Sequence, residues 1–119
     1  MTIYHLVWES DWNRCLDGDL YRADSLSTEG FIHCTREPEK LLEVANTFFR
    51  EHRVEKLILL SLDEDLLQSD VRYEDPGIGH LFPHVYGPIE VAAIICAEDM
   101  EHIEGEWTLP MTYPTAMRS

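Results

Sequence analysis

The chain has 119 residues, which is the length of one domain, because domains commonly run to ~100–200 residues. Hydrophobic residues make up 45% of it and charged residues 27%, a composition typical of a globular protein. Twenty-three Asp and Glu residues face nine Lys and Arg residues, for a net charge of −14. This charge argues against a nucleic-acid partner, because binding to phosphates needs Lys and Arg, and against docking on anionic membranes.

Cysteine use and hydropathy indicate a protein of the reducing cytoplasm. The three cysteines form no CxxC pair, so we expect no disulfide framework. The first residues carry no positively charged segment and no long apolar run, so they do not form a signal peptide. The longest apolar run, residues 91–97, is far shorter than the ~20 residues that a membrane helix needs.

The first third of the chain alternates strand and helix patterns. Ser10 is predicted to cap a short helix, because apolar residues recur after it at helical spacing. β-branched and aromatic residues on either side favour strands. The predicted elements are a strand at 3–7, the helix after Ser10, an extended piece at 20–22, a turn at 25–30 and a strand at 31–34.

The clearest helix is predicted to begin at residue 35 or 36 and to end near 51–53. Pro38 falls in its first turn, where a missing N–H has no cost. Four apolar residues at positions i, i+4, i+7 and i+8 form one stripe, which predicts packing against the core. They are Leu41, Ala45, Phe48 and Phe49.

The second half reads as a series of short strands. Residues 57–62 form a continuous apolar run, which predicts a central strand buried on both faces. Two prolines bracket 82–88, so that segment is predicted to be extended but not to lie in the middle of a sheet. The remaining elements are a helical turn at 63–67, a strand at 71–74, a loop at 75–79, a strand at 91–96 and an edge at 104–107.

This order predicts an α+β fold with a mostly antiparallel sheet and two main helices. We expect a single domain over residues 1–109. Residues 110–119 carry no pattern and are predicted to be a mobile tail.

Three of the six histidines, His5, His33 and His84, lie in strand-like apolar sequence. A buried imidazole needs a hydrogen-bond partner, so one interpretation is three core histidines bonded to the backbone. Another is a catalytic zinc site with three imidazoles and an open position, although the chain has no HxH or HExxH motif. A third starts from His33-Cys34-Thr35, since His-x-Thr is the repeated signature of two-histidine phosphoesterases. The nearest second copy is His84-Val85-Tyr86.

Four stretches together carry a more specific signal, spread over residues 2–108. They are "IYHL", "ADSLSTEGFIHCT", "VRYE" and "FPHVYG". With them the chain resembles domain-of-unknown-function family 952. That resemblance implies an ADP-ribosyltransferase-like fold, in which a split, mostly antiparallel sheet holds NAD in a cleft.

The nearest activity implied by the resemblance is that of the tRNA 2′-phosphotransferases. Tyr4-His5 matches their first-strand Tyr-His-Gly, with Leu6 in place of the Gly, and His33 matches the last histidine of their His-x-His-Leu-Ser. By this resemblance His5 contacts the ribose hydroxyls of NAD, and His33 lies beside the nicotinamide ribose or the phosphates. Tyr86 stacks on a ring of the ligand. Glu74 is the carboxylate that steadies an oxocarbenium-like transition state.

The leading hypothesis is therefore a cleft for a nucleotide-like small molecule, with NAD as the implied cofactor, and transfer of an ADP-ribosyl or phosphoryl group. A catalytically inert module that binds a metabolite or a protein partner is the alternative, since fold does not fix chemistry, and the histidine metal site is the third hypothesis. The predicted catalytic residues are His33, His84 and Glu74. The predicted ligand-binding residues are His5, Arg22, Ser25, Arg72 and Tyr86.

Overall fold

Three helices and eleven strands make up the part of the chain that the computed structural model describes, residues 1–51 and 54–110. The first half contains β1 (Thr2–Trp8), α1 (Glu9–Cys15), β2 (Leu16–Asp17), β3 (Leu20–Tyr21), α2 (Asp24–Thr28), β4 (Ile32–His33) and α3 (Pro38–Phe48). The second half contains β5 (Leu57–Asp63), β6 (Asp70–Glu74), β7 (Phe82–Tyr86), β8 (Ile89–Glu90), β9 (Ile94–Asp99), β10 (Glu101–Ile103) and β11 (Glu106–Thr108). The predicted α+β class is confirmed, with a third, short helix in addition to the two expected.

The strands form three three-stranded sheets and one hairpin. The central sheet has the order β1-β5-β9, the histidine sheet β4-β7-β6, and a small sheet β2-β3-β8. β10 and β11 pair as the hairpin. Every registered strand pair is antiparallel, as the sequence pattern predicted.

The central sheet is covered on both faces, which explains the continuous apolar sequence of β5. On one face Leu57 and Leu59 pack with Leu41 and Ala45 of α3. On the other face Leu60 and its neighbours pack with side chains from the histidine sheet and the small sheet, among them Ile32, Tyr21, Val85 and Ile89. The prediction of a buried central strand at 57–62 is confirmed.

The central sheet meets the histidine sheet just after β4. Tyr4 and Thr35 exchange two backbone hydrogen bonds, N–H to O, both of 2.7 Å. His5, the next residue of β1, donates from Nδ1 to the carbonyl oxygen of His33 at 2.6 Å. These three bonds fix β4 against β1, and with it the histidine sheet.

The prediction that 82–88 would not lie mid-sheet is wrong, because β7 is the middle strand of the histidine sheet. The carbonyl oxygen of Pro83 accepts the N–H of Cys34 at 3.1 Å. The N–H and C=O of one residue in a strand point to the same neighbour, so the N–H that proline lacks faces Cys34, one residue beyond the end of β4. The N–H that Pro83 lacks would therefore point to a position beyond the end of β4, where the absence of a donor matters least.

Several predicted boundaries also differ. The expected turn at 25–30 is largely the helix α2, and the strand expected at 91–96 begins only at Ile94, after a 3₁₀ turn over Val91–Ala93. Ser10 lies inside α1, whose N-cap is Trp8. α3 begins at Pro38 and ends at Phe48, and part of the predicted end at 51–53 lies outside the described residues, as does the predicted tail beyond residue 110. No helix among the described residues is long and apolar enough to cross a membrane.

The apolar stripe predicted for α3 is only partly buried. Leu41 and Ala45 are fully buried and Phe49 packs at the edge of their cluster, but Phe48 is 74% exposed. Phe48 is the last residue of α3, so its side chain lies beyond the surface that the central sheet covers.

We expect Leu41→Ala to lower the free energy of unfolding by about 2–5 kcal/mol, because it leaves a cavity against the central sheet. Phe48→Ala should change it by less than about 0.5 kcal/mol, because little surface is buried there. Urea unfolding of both variants measures the difference. Equal losses for the two variants would contradict the packing of α3 described above.

Candidate functional site

Five of the predicted site residues lie on the outward side of the histidine sheet. β4, β7 and β6 place His33, His84 and Arg72 directly opposite one another across the three strands. Side chains alternate along a strand, so Glu74 and Tyr86 share this side, whereas Val85 is fully buried on the other. We call the set His33, Arg72, Glu74, His84 and Tyr86 the histidine face.

His84 is the buried member of the histidine face. Its Nδ1 lies 2.9 Å from Oε1 of Glu74, and its ring stacks on Phe31 with 4.1 Å between centroids and 18° between planes. Because a carboxylate only accepts, the proton of the neutral ring is on Nδ1, and Nε2 is the basic nitrogen. No described residue bonds that Nε2. The side chain is only 7% exposed because Phe31 covers it.

Glu74 joins two aromatic members of the face, His84 and Tyr86. Its Oε1 also accepts the hydroxyl of Tyr86 at 2.6 Å. The hydrogen bonds from Tyr86 and His84 lower the pKa of the Glu74 carboxyl and so favour its charged form. The hydrogen bond between Tyr86 and Glu74 also raises the pKa of Tyr86. The guanidinium of Arg72 lies 4.2 Å from the centre of the Tyr86 ring, a cation–π contact.

His33 is the exposed histidine of the face. Its ring centre lies 5.4 Å from that of His84, at 78°, and its Nε2 lies 2.9 Å from Oε2 of Glu29. The side chain is 53% exposed, and no described residue bonds its Nδ1. Each imidazole is therefore oriented by its own carboxylate and keeps one ring nitrogen without a protein partner.

His5 does not lie on this face but behind it, in the core. Its Nδ1 donates to the carbonyl of His33, so Nε2 must accept the hydroxyl of Tyr21, at 2.7 Å. Burial lowers the pKa of His5 to about 4 and raises that of Tyr21. Both ring nitrogens are thus used within the protein, which leaves neither for the ribose hydroxyl that the resemblance implied.

The other two predicted ligand-binding residues lie outside the histidine face. Arg22 forms an ion pair with Asp17 at 3.4 Å. The carbonyl oxygen of Ser25 accepts the N–H groups of Glu29 and Gly30 at the end of α2, so Ser25 acts through its backbone to place Glu29. Among the described residues, no hydrogen bond joins either side chain to the face.

Sequence reasoning missed Glu29, Phe31 and Tyr21 as partners of the three histidines. A signal for the first two was available, because Phe31 precedes His33 by two residues in a strand-like segment and Glu29 lies four residues before it. Nothing local indicates that Tyr21 reaches His5.

The three-histidine metal site is not formed. Among residues 1–51 and 54–110, no three His, Cys, Asp or Glu side chains converge in a way that could hold a metal ion. The reason is geometric, since the ring of His5 lies on the core side of β4 and those of His33 and His84 on the outer side.

In the described part of the chain, two of the surface cavities lie away from the histidine face, and no residue of that face lines either of them. One, of about 300 Å³, lies between α3 and the β10–β11 hairpin. The other, of about 420 Å³, lies beside β6. On the histidine face itself, His33 and Arg72 are exposed, whereas Phe31 covers His84.

The neutral state of His5 predicts a pH dependence of stability. Its pKa is about 4 in the folded chain and ~6.5 when unfolded, so the unfolded chain binds the extra proton between these values. The free energy of unfolding should therefore fall as the pH drops through this window, by about 2 kcal/mol between about pH 7 and about pH 5. Urea unfolding at the two pH values measures it.

His5→Gln should remove this part of the pH dependence, and His102→Gln, at an exposed histidine, should leave it intact. Tyr21→Phe should destabilise at both pH values by about 1–3 kcal/mol, because Nε2 of His5 loses its donor. An unchanged pH dependence in His5→Gln would show that a different group causes it.

Comparison with known proteins gives a family and a fold. Residues 6–97 match the family model described as "Protein of unknown function (DUF952)". The crystal structure of protein CC0527 from Caulobacter crescentus is similar, with a TM-score of 0.78 and 25% identity over 92% of this chain and 95% of that one. Its solution NMR structure gives a TM-score of 0.70 and 23% identity over 89% and 90%. No curated protein matches the chain significantly. Since the family model spans most of the sequence, this chain belongs to the DUF952 family.

Proposed function

We propose that the histidine face binds a nucleotide-like small molecule and transfers an ADP-ribosyl or phosphoryl group. The observation that carries this proposal is the His33–His84 pair, in which two imidazoles on adjacent strands are each oriented by a separate carboxylate. Imidazole exchanges protons near neutral pH, and two positioned histidines can act as general base and general acid.

The two histidines have different roles in this proposal. His84 is the base, because Glu74 holds its Nδ1 proton and leaves Nε2 to accept one from the attacking hydroxyl. In phosphoryl transfer His33 is the acid, since it is exposed and can donate a proton to the leaving oxygen from Nδ1. In ADP-ribosyl transfer from NAD the bond between C1′ and the nicotinamide nitrogen breaks, and nicotinamide leaves neutral without a proton from His33. Phe31 has to move from above His84 before a substrate can reach Nε2.

The remaining groups of the face suit a ligand that combines negative charge and a flat ring. Arg72 is the cation for a phosphate, and the rings of Tyr86 and Phe31 are surfaces for a base. The lowered pKa of Glu74 favours the carboxylate that an oxocarbenium-like ribose needs. NAD, which carries a diphosphate, two riboses and two rings, is the donor that the family resemblance implies.

Other supports come from the architecture. Two three-stranded antiparallel sheets meet at a single bridge between Tyr4 and Thr35, an arrangement that agrees with the split sheet of the ADP-ribosyltransferase-like fold. In this proposal His5 is a positioning residue, because its bond to the carbonyl of His33 sets the backbone that carries the acid.

The inert binding module stays as the second candidate, and one observation favours it. Phe31 covers His84, and its ring also lies 5.3 Å from that of Tyr86. A ligand or a protein partner held by Arg72 and Tyr86 alone would leave His84 covered and would undergo no reaction.

An NMR titration of the histidine ring signals tests binding, with NAD, ADP-ribose, nicotinamide and a 2′-phosphorylated dinucleotide as probes. We expect saturable shifts of the His33 and His84 signals. The signal of His102, whose ring packs against Trp107 away from the histidine face, should not shift. Arg72→Gln should weaken binding about tenfold or more, because it removes the phosphate contact. The absence of any shift up to about 10 mM would exclude a nucleotide ligand.

Turnover of the probes that bind tests catalysis. His33→Asn and His84→Asn should each lower the rate by about 10²–10⁴-fold, as expected for loss of a general acid or base. Glu74→Gln should also lower the rate, because a neutral amide oxygen holds the Nδ1 proton of His84 less strongly than a carboxylate does. Binding without any turnover in the parent chain would leave the inert module as the function.

A further inference from the structure

A second group of polar side chains lies on the other side of β6 from the histidine face. Tyr73 alternates with Arg72 and Glu74 along this strand, so its ring points the opposite way. It lines a cavity of about 420 Å³, within the usual ~300–1,000 Å³ of ligand sites. The cavity is lined by Arg36, Glu37, Tyr73, Gly79, His80 and Leu81. We call it the Arg36 cavity.

Arg36 is the charged group in this cavity that is available to pair with a ligand. Its guanidinium lies 6.0 Å from the centre of the Tyr73 ring, and within the described residues it forms no ion pair. The other charged groups nearby already have partners. His80 Nε2 lies 3.0 Å from Glu37 Oε1, and Glu64 accepts the hydroxyl of Tyr73 at 3.0 Å.

The wall of the Arg36 cavity is held in place before any ligand arrives. One carboxylate, that of Asp75, accepts the backbone N–H groups of Gly77, Ile78 and Gly79 at 2.8–3.1 Å. These bonds lower the pKa of Asp75, so the loop forms around a charged carboxylate. His80 then packs edge-on to Phe82, with 4.7 Å between ring centres. A site held in this way loses less entropy on binding.

We propose that the Arg36 cavity binds a compact organic anion, with one carboxylate or phosphate group on a flat apolar body. The anionic group pairs with Arg36, whose planar donors match a carboxylate or phosphate. The flat body lies against the ring of Tyr73 and the side chain of Leu81, which is 55% exposed. This ligand differs from that of the histidine face in place and in the arginine that binds it.

Backbone N–H NMR spectra of the full chain test this proposal with three probes. Benzoate represents a carboxylate, phenyl phosphate a phosphate, and benzamide the same flat body without charge. We expect saturable shifts of the Gly79 and Leu81 signals with benzoate or phenyl phosphate. Benzamide should bind at least about tenfold more weakly, because it offers Arg36 no charge. The stronger of the two anions identifies the group that the site prefers.

Two arginines serve as controls for each other. Arg36→Gln should weaken the binding of the anionic probe about tenfold or more, and Arg72→Gln should leave it unchanged. Arg36→Lys keeps the charge but loses the planar donors, so its affinity for the anionic probe should lie between those of the other two variants. Tyr73→Leu should also weaken binding, through loss of the ring.

Three results would overturn the proposal. They are no shift up to about 10 mM probe, equal binding of benzamide, and equal binding to Arg36→Gln. Loss of nucleotide binding in Arg72→Gln alone bears on the histidine face and leaves the Arg36 cavity intact, so the two proposals fail separately.

Discussion

The hydrogen bond from His5 to the carbonyl of His33 is the contact on which the histidine face depends. It is 2.6 Å long and lies beside the Tyr4–Thr35 bridge. The bond requires a neutral His5 with its proton on Nδ1, and burial together with the Tyr21 hydroxyl provides that state. One ring in the core therefore fixes the strand that carries the exposed histidine.

The two sides of β6 carry the same arrangement of groups. On the histidine face, Arg72 lies over Tyr86, whose hydroxyl donates to Glu74. In the Arg36 cavity, Arg36 lies over Tyr73, whose hydroxyl donates to Glu64. In each, a carboxylate accepts the tyrosine hydroxyl. Arg36 forms no ion pair among the described residues, whereas Arg72 lies 3.7 Å from a carboxylate oxygen of Asp70. In a chain of net charge −14, an anion at either arginine would have to bind against an unfavourable overall field.

The sequence pattern predicted most of the fold and about half of the candidate site. Alternating apolar and polar residues and continuous apolar runs predicted β1, β5 and β6, because burial on one or both faces determines which residue types occur along a strand. It also predicted the strand at 71–74 that carries Arg72 and Glu74. That His33 would lie opposite His84 depends on the register between distant strands, which no local pattern fixes. Pro83 in a central strand was missed for the same reason, since the cost of its absent N–H depends on where β4 ends.

Two buried histidines in strands look alike in the sequence, and here their hydrogen-bond partners distinguish them. His5 and His84 are both buried, yet the partners of His5 use both its ring nitrogens and those of His84 use one. The covering group also differs. Tyr21 is fixed in the core, whereas Phe31 follows Gly30, whose φ of 89° lies in the left-handed region that favours glycine, at the end of the short helix α2. A ligand ring that displaced Phe31 would make the same stacking contact with the His84 ring. In the free protein Phe31 covers His84, while His33 and Arg72 of the same face stay exposed.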